Sequence, residues 1–259
     1  MENENSYDDL LGELKEHYSQ NKTKIFIPTT NNYADFTPIS VKQHKDILKT
    51  NDNMMLSSLQ FNINTNEAIL NNISADTNDL MLIDRPSIIL SLKQSMTDGN
   101  AKISIDDQLH EIDLQSHIDT FPTIKFTKSL LKKTISLGSL KVKCSIPTIY
   151  YDVSINKNII SKLKNKKDDS IMESIGEVYV YELIKFIDEV NTGSSSVDLK
   201  QLTFDQKSQV CDMLPLELSN KIISYINKVK SIDHKYTKCT DVKGNNIEIP
   251  LSVTLFAGD

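Results

Sequence analysis

Apolar residues recur along this chain with two periods, and the switches between them mark its elements. Over residues 78–99, NDLMLIDRPSIILSLKQSMTDG, an apolar lead-in breaks and a helix begins. Asp84 is a good N-cap, Pro86 falls in the first turn where its missing N–H costs nothing, and Gly99 suits a stop. Ile88, Ile89, Leu92 and Met96 share one face, with Lys93 and Gln94 off it. The pattern predicts a buried helix with a sharp start.

Helical spacing recurs elsewhere. Residues 6–18 open on a capping box, Ser6 with Asp9, and place Leu10, Leu11, Leu14 and Tyr18 on one stripe. So short a helix is marginal in water, which predicts packing on its own domain; docking on a partner is the alternative. Ser40 with Gln43 opens a helix whose inner face is Val41, His44, Ile47 and Leu48. Residues 54–74 carry Leu56, Leu59, Ile63, Ile69, Leu70 and Ile73, while Asn62, Asn64 and Asn66 weaken the middle and allow a break. Further helices are predicted over 148–164 and 170–190, the second with Ile171, Ile175, Val178, Tyr179, Leu183, Phe186, Ile187 and Val190 in register. A polar linker, 191–196, follows. Thr203 with Gln206 caps a helix reaching Leu214, and Pro215 starts another with Leu218, Ile222, Ile226 and Val229 inside.

Alternation marks the extended parts. Residues 24–27 and 34–39 flank a polar loop as a hairpin, with Pro38 demoting the second strand toward an edge. Between 101 and 146, Ile103 and Ile105, Ile112 and Leu114, Ile124 and Phe126, then Leu140, Val142, Cys144 and Ile146 alternate with polar residues. Ile247, Ile249, Leu251, Val253 and Leu255 alternate after the 243–245 turn. The expected fold class is α+β: mainly helical, with a small antiparallel β-sheet subdomain in the middle and a C-terminal strand. The expected divisions are an N-terminal amphipathic helix (1–22), a hairpin with helices (23–100), a β-rich subdomain (101–147) and a helical region with the last strand (148–259).

Composition narrows the function classes. Of 259 residues, 39% are hydrophobic, enough for a core, and no apolar run approaches the length of a membrane span. Residues 1–20 lack the pattern of a signal peptide, so a cytoplasmic protein is expected. Cys144, Cys211 and Cys239 are scattered and odd in number, which suits a reducing compartment and small buried side chains. The net charge of −6 argues against general binding to a phosphate backbone. Residues 121–150 nonetheless hold no acid and carry Lys125, Lys128, Lys132, Lys133, Lys141 and Lys143. This stretch reads as a solvated face or as a dock for an acidic protein. Nucleic acid is a third reading, weakened because no stacking aromatics interleave with the lysines.

No motif for chemistry stands out. Neither Cys-x-x-Cys nor His-Glu-x-x-His occurs; His110 with His117, and His234 with Cys239, lack further ligands, and His44 stands alone. Glycine is too sparse for a phosphate cradle, and no Gly-x-Ser-x-Gly is present. The pairs Asp106-Asp107 and Asp168-Asp169 fall in charged loops, the cheapest place for a carboxylate. Catalytic, cofactor-binding and metal residues are therefore expected to be none. Asp84-Arg85, where the sole arginine stands beside an acid, reads as a cap and an ion-pair or interface anchor.

One order of short motifs has a counterpart. Ile27-Pro28, Phe36, Pro38-Ile39-Ser40, Lys42-Gln43, Lys45 and Ile47-Leu48 are followed by Leu80, Leu82, Asp84-Arg85, Ile88, Leu90, Leu92, Ser95 and Gly99. Over roughly the first hundred residues this resembles the baseplate hub and hub-assembly proteins of T4-type contractile-tailed phages. The resemblance implies a non-enzymatic tail baseplate hub component or assembly chaperone, without cofactor, small-molecule substrate or membrane. It would contact other hub or tail proteins in the host cytoplasm during assembly, and in the virion tail if retained. A motif-poor phage or host enzyme, and a nucleic-acid-binding module on the lysine-rich sheet, are the alternatives.

Overall fold

Helix α4, Arg85–Ser95, runs through the middle of the structure, with every residue from Pro86 to Lys93 buried. The computed structural model describes residues 2–106, 108–164 and 175–257. A helix covered all round belongs to a core, so the predicted polar face of α4 is not a solvent face: Lys93 is only 1% exposed. Ser87 and Ser91 turn their hydroxyls to the carbonyls of Phe26 and Ser87, each at 2.8 Å, which makes their burial affordable. The helix ends at Ser95, and Gly99 takes a positive φ of 83° in the turn beyond.

Around α4 the N-terminal half follows the predicted order. Strands β1 (Thr23–Ile27) and β2 (Asn32–Phe36) form an antiparallel hairpin, Ile25 opposite Ala34, and β1 packs on α4. Helix α2 (Val41–Ile47) begins on the complete Ser40–Gln43 capping box, although Val41 lies in solvent. Helix α3 (Met54–Asn72) runs unbroken through Asn62, Asn64 and Asn66, because partners outside the helix take up their amides: Arg85 for Asn62 and Asn66, Asp152 for Asn66 and the Asp46 carbonyl for Asn64. Helix α1 spans Glu2–Gln20, so Ser6 lies inside it and starts nothing. Of the predicted stripe, Leu10 and Leu14 are 53% and 47% exposed and Leu11 is half-buried, while the side chain of Tyr18 lies outside the described residues; Tyr7, one turn before Leu10 and Leu11, is 63% exposed.

The middle of the chain forms two sheets where the alternation predicted one. Strands β3 (Ala101–Ile105) and β4 (Gln108–Ile112) pair alone, turning at Asp106 with a positive φ of 49°. Asp107 lies outside the described residues. A short helix, α5 (Leu114–Ile118), and two 3-10 turns follow, so Ile124 and Phe126 are not in a strand. Strands β5 (Lys132–Leu137) and β6 (Leu140–Ser145) then form a hairpin that continues into β7 (Ile187–Asn191) and β8 (Ser196–Asp198) in the order β5-β6-β7-β8. This sheet thus draws strands from both sides of position 147. Lys132, Lys141 and Lys143 share its outer face with Glu189 and Asp198, and Lys143 pairs with Glu189 at 2.7 Å. The lysine face is therefore interrupted by acids: Glu189, which the periodicity had placed in a helix, and Asp198, which lies just beyond the predicted linker.

Helix α6 (Ile149–Lys164) lies against α3. It is tied to the lead-in of α4 by Leu82 N to Pro147 O at 3.0 Å and Ile149 N to Leu80 O at 2.9 Å. Helix α7 occupies Ile175–Phe186 and passes directly into β7, so Ile187 and Val190 are strand residues. Ile171, with the pair Asp168-Asp169, lies outside the described residues. Helix α8 (Phe204–Asp212) starts on the Thr203–Gln206 box, and α9 (Leu216–Lys230) buries Leu218, Ile222, Ile226 and Val229 as spaced. After α10 (Asp233–Thr237), β9 (Lys238–Thr240) pairs with β10 (Asn246–Glu248). The expected terminal strand is only this short β10; Val253–Leu255 is a 3-10 turn that seats Leu255 and Phe256 in the core. The architecture is α+β and mainly helical, with small antiparallel sheets, and no helix of the described residues is long and apolar enough to cross a membrane.

Candidate functional site

The side chains of the Asp84-Arg85 pair diverge, as adjacent residues at a helix start must. Asp84 occupies the N-cap position but does not cap the helix with its side chain. Its carboxylate accepts from Thr29 N and Thr29 Oγ1, both at 2.8 Å, and from Met81 N at 2.9 Å. It thereby fastens the β1–β2 turn to the head of α4. Burial pushes its pKa up to about 6 against the pull of these donors. The IFIPTT and LIDRPS blocks, 55 residues apart at this contact, are one structural unit.

Arg85 points the other way, into a polar network between helices. Asn62 and Asn66 stand one turn apart on α3 and so share a face. Asn66 Oδ1 accepts from Arg85 Nε at 2.8 Å, and Asn62 Oδ1 accepts from the guanidinium Nη2 at 2.7 Å. The guanidinium also lies 5.8 Å from the centre of the Phe61 ring. Asn66 Nδ2 donates onward to Asp152 Oδ2 at 3.0 Å, and Asn156, one turn along α6, donates to the same oxygen at 2.8 Å. The other oxygen of Asp152 meets Lys185 of α7 at 3.0 Å. Lys185 also approaches Glu182 at 3.6 Å, and Glu182 pairs with Lys230 of α9 at 2.8 Å. The sequence predicts an ion-pair or interface anchor at Arg85; its direct hydrogen-bond partners are two neutral amides.

The charges in this network answer one another. Burial works against Lys185, but Asp152 and Glu182 outweigh it and hold its pKa above the ordinary lysine value. Burial likewise opposes ionised Glu182, and Lys185 with Lys230 overcomes it, leaving its pKa low. Arg85 is lowered by burial against the fields of Asp152 and Asp233. Asp233, in the first turn of α10, is pushed up to about 6 by burial, with Arg85, His234 and Lys230 pulling the other way.

These groups line a cleft of about 690 Å³, within the range of about 300–1,000 Å³ found for small-ligand sites. Its apolar walls include Leu82, Phe186, Val229, Pro250 and Leu251. His234 and Glu248, also in the lining, bond to one another.

The other residues considered from sequence are elsewhere. His110 Nδ1 meets Asp241 at 2.9 Å, joining β4 to the β9–β10 turn, and His117 Nε2 meets the Tyr236 carbonyl at 2.6 Å. His44 is half-buried on α2, its Nε2 without a partner among the described residues. Cys144 and Cys211 are buried and Cys239 half-buried, all as free thiols. No group of three or more His, Cys, Asp or Glu among the described residues is placed to hold a metal. What the sequence reading missed is the Asn62, Asn66, Asp152, Lys185 and Asp233 set. A signal existed: Asn62 with Asn66 and Asp152 with Asn156 are polar pairs at i,i+4, each able to share one helix face. No family model, curated protein or solved structure matches this chain.

Proposed function

We propose that this chain is a baseplate hub component or hub-assembly factor of a T4-like tailed phage, acting through protein–protein contacts and performing no chemistry. The motif order in the first hundred residues supports the identity. The observation that carries the mode of action is the exposed stripe Tyr7, Leu10 and Leu14 on α1. An amphipathic helix gains most of its stability from burying its apolar face, and a partner's groove supplies that burial. Asp8, Asp9, Glu13 and Glu16 are exposed along the same helix, which favours a basic rim on the partner. The acids interrupting the lysine face weigh against nucleic acid as that partner.

A tagged copy expressed in infected cells tests this. Recovery of hub or tail proteins, lost on Leu10→Asp with Leu14→Asp, is the expected result. Recovery of none, or capture indifferent to the substitutions, overturns the α1 mechanism. Mass spectrometry of purified tails separates the two roles: presence in mature particles marks a structural subunit, and presence only in tail intermediates marks a transient assembly factor. An enzyme with a motif-poor site is the second reading, favoured by the Arg85 cleft. A gene neighbourhood of metabolic enzymes in place of tail genes would select it.

A further inference from the structure

The charges lining the central cleft do not all find partners. Asp152, Lys185, Glu182 and Lys230 form a closed alternating chain, and His234 holds Glu248. Arg85 and Asp233 are left over. Arg85 carries five N–H donors. It spends two on Asn62 and Asn66, and no described residue accepts from the rest. The Asp233 carboxylate accepts no hydrogen bond from a described side chain or backbone group, although Arg85 and Asp233 feel one another's field. No contact of ion-pair length joins them, so one cation and one anion face the same space with bonding capacity unused.

We propose that this cleft is a binding site for a zwitterion with an apolar body, an α-amino acid or a short peptide, whose carboxylate meets Arg85 and whose ammonium meets Asp233. A singly charged ligand would satisfy one of these groups and desolvate the other at a cost. A net-neutral ligand bearing both charges satisfies the pair together. Its apolar part lies against Phe186, Val229, Pro250 and Leu251, which line the same cleft.

Titration calorimetry on the full chain tests this with four probes: leucine, trileucine, isocaproate and isoamylamine. The two zwitterions are expected to bind, and each singly charged probe to bind at least about tenfold more weakly. Asp233→Asn should weaken the zwitterions about tenfold and bind isocaproate no more weakly than wild type does, because the anion that a carboxylate probe leaves unsatisfied is gone. Tighter binding of trileucine assigns the site to a peptide, and tighter binding of leucine to a free amino acid. Equal binding of all four, or no binding of either zwitterion at millimolar concentration, overturns the proposal and leaves a bridging water between the two charges. The wild-type comparison of the four probes needs no variant and decides by itself.

Discussion

Asn66→Ala sets local propensity against tertiary bonding. In a helix interior, alanine gains roughly 0.6 kcal/mol over asparagine, so α3 taken alone should be stabilised. The structure reverses the sign. Asn66 accepts from Arg85 at 2.8 Å and donates to Asp152 at 3.0 Å. A hydrogen bond to a charged group is worth about 1.5–3 kcal/mol, so two cost about 3–6 kcal/mol to remove. Arg85 keeps Asn62, and Asp152 keeps Asn156 and Lys185, which places the loss near the lower bound. Subtracting the propensity gain leaves a destabilisation of about 2.5 kcal/mol, or roughly 5–10 °C in Tm for a domain of this size. Urea and thermal melts followed by circular dichroism measure it, with Asn62→Ala beside it. That second variant loses one bond and should cost about 1–1.5 kcal/mol. Asn66→Ala melting at or above wild type would refute the view that this amide holds α3, α4 and α6 together.

Three further outcomes are expected. Asp233 titrates at about 6 in the folded chain because burial penalises its charge, against 3.8 as its ordinary value. The stability from its protonated form is therefore complete below about pH 4 and lost as pH rises through about 6; Asp233→Asn, which cannot ionise, should gain roughly 2–3 kcal/mol on wild type between pH 4 and pH 7 in urea melts, and a pH-independent difference contradicts this. Leu10→Asp with Leu14→Asp should leave the unfolding free energy within about 0.5 kcal/mol of wild type in urea melts because both sites are exposed, whereas Gly12→Ala, with open space around the added methyl, should raise α1 helicity by circular dichroism. Burial pushes the Cys144 and Cys211 thiols up to about 12 and Cys239 up to about 11, so timed iodoacetamide labelling of native protein should modify half-buried Cys239 first and the other two only after urea.

Some elements could be read from the chain because their causes are local. The Ser40–Gln43 and Thr203–Gln206 boxes are closed within three residues. The stripe of α9 and the alternation of β6 were visible as periods. The switch from α7 to β7 was not. Ile187 and Val190 continue the spacing of Leu183 and Phe186, yet β7 is extended because β6 and β8 offer it a ladder on both sides. The same blindness made Ile124 and Phe126 look like a strand. Two alternating residues without a neighbouring strand have nothing to pair with.

Short-range chemistry, then, settled where α2, α8 and α9 begin, which way most of the helices' apolar faces turn, and that the class is α+β. Partners remote in sequence decided which polar groups go inside. Asn66 and Asp152 are 86 residues apart, and nothing near either one announces the other. Burying an amide or a carboxylate is tolerable only where its donors and acceptors are met. That condition is set by the packing of α3, α4, α6 and α7 against one another, and so the cleft at Arg85 exists only in the folded chain.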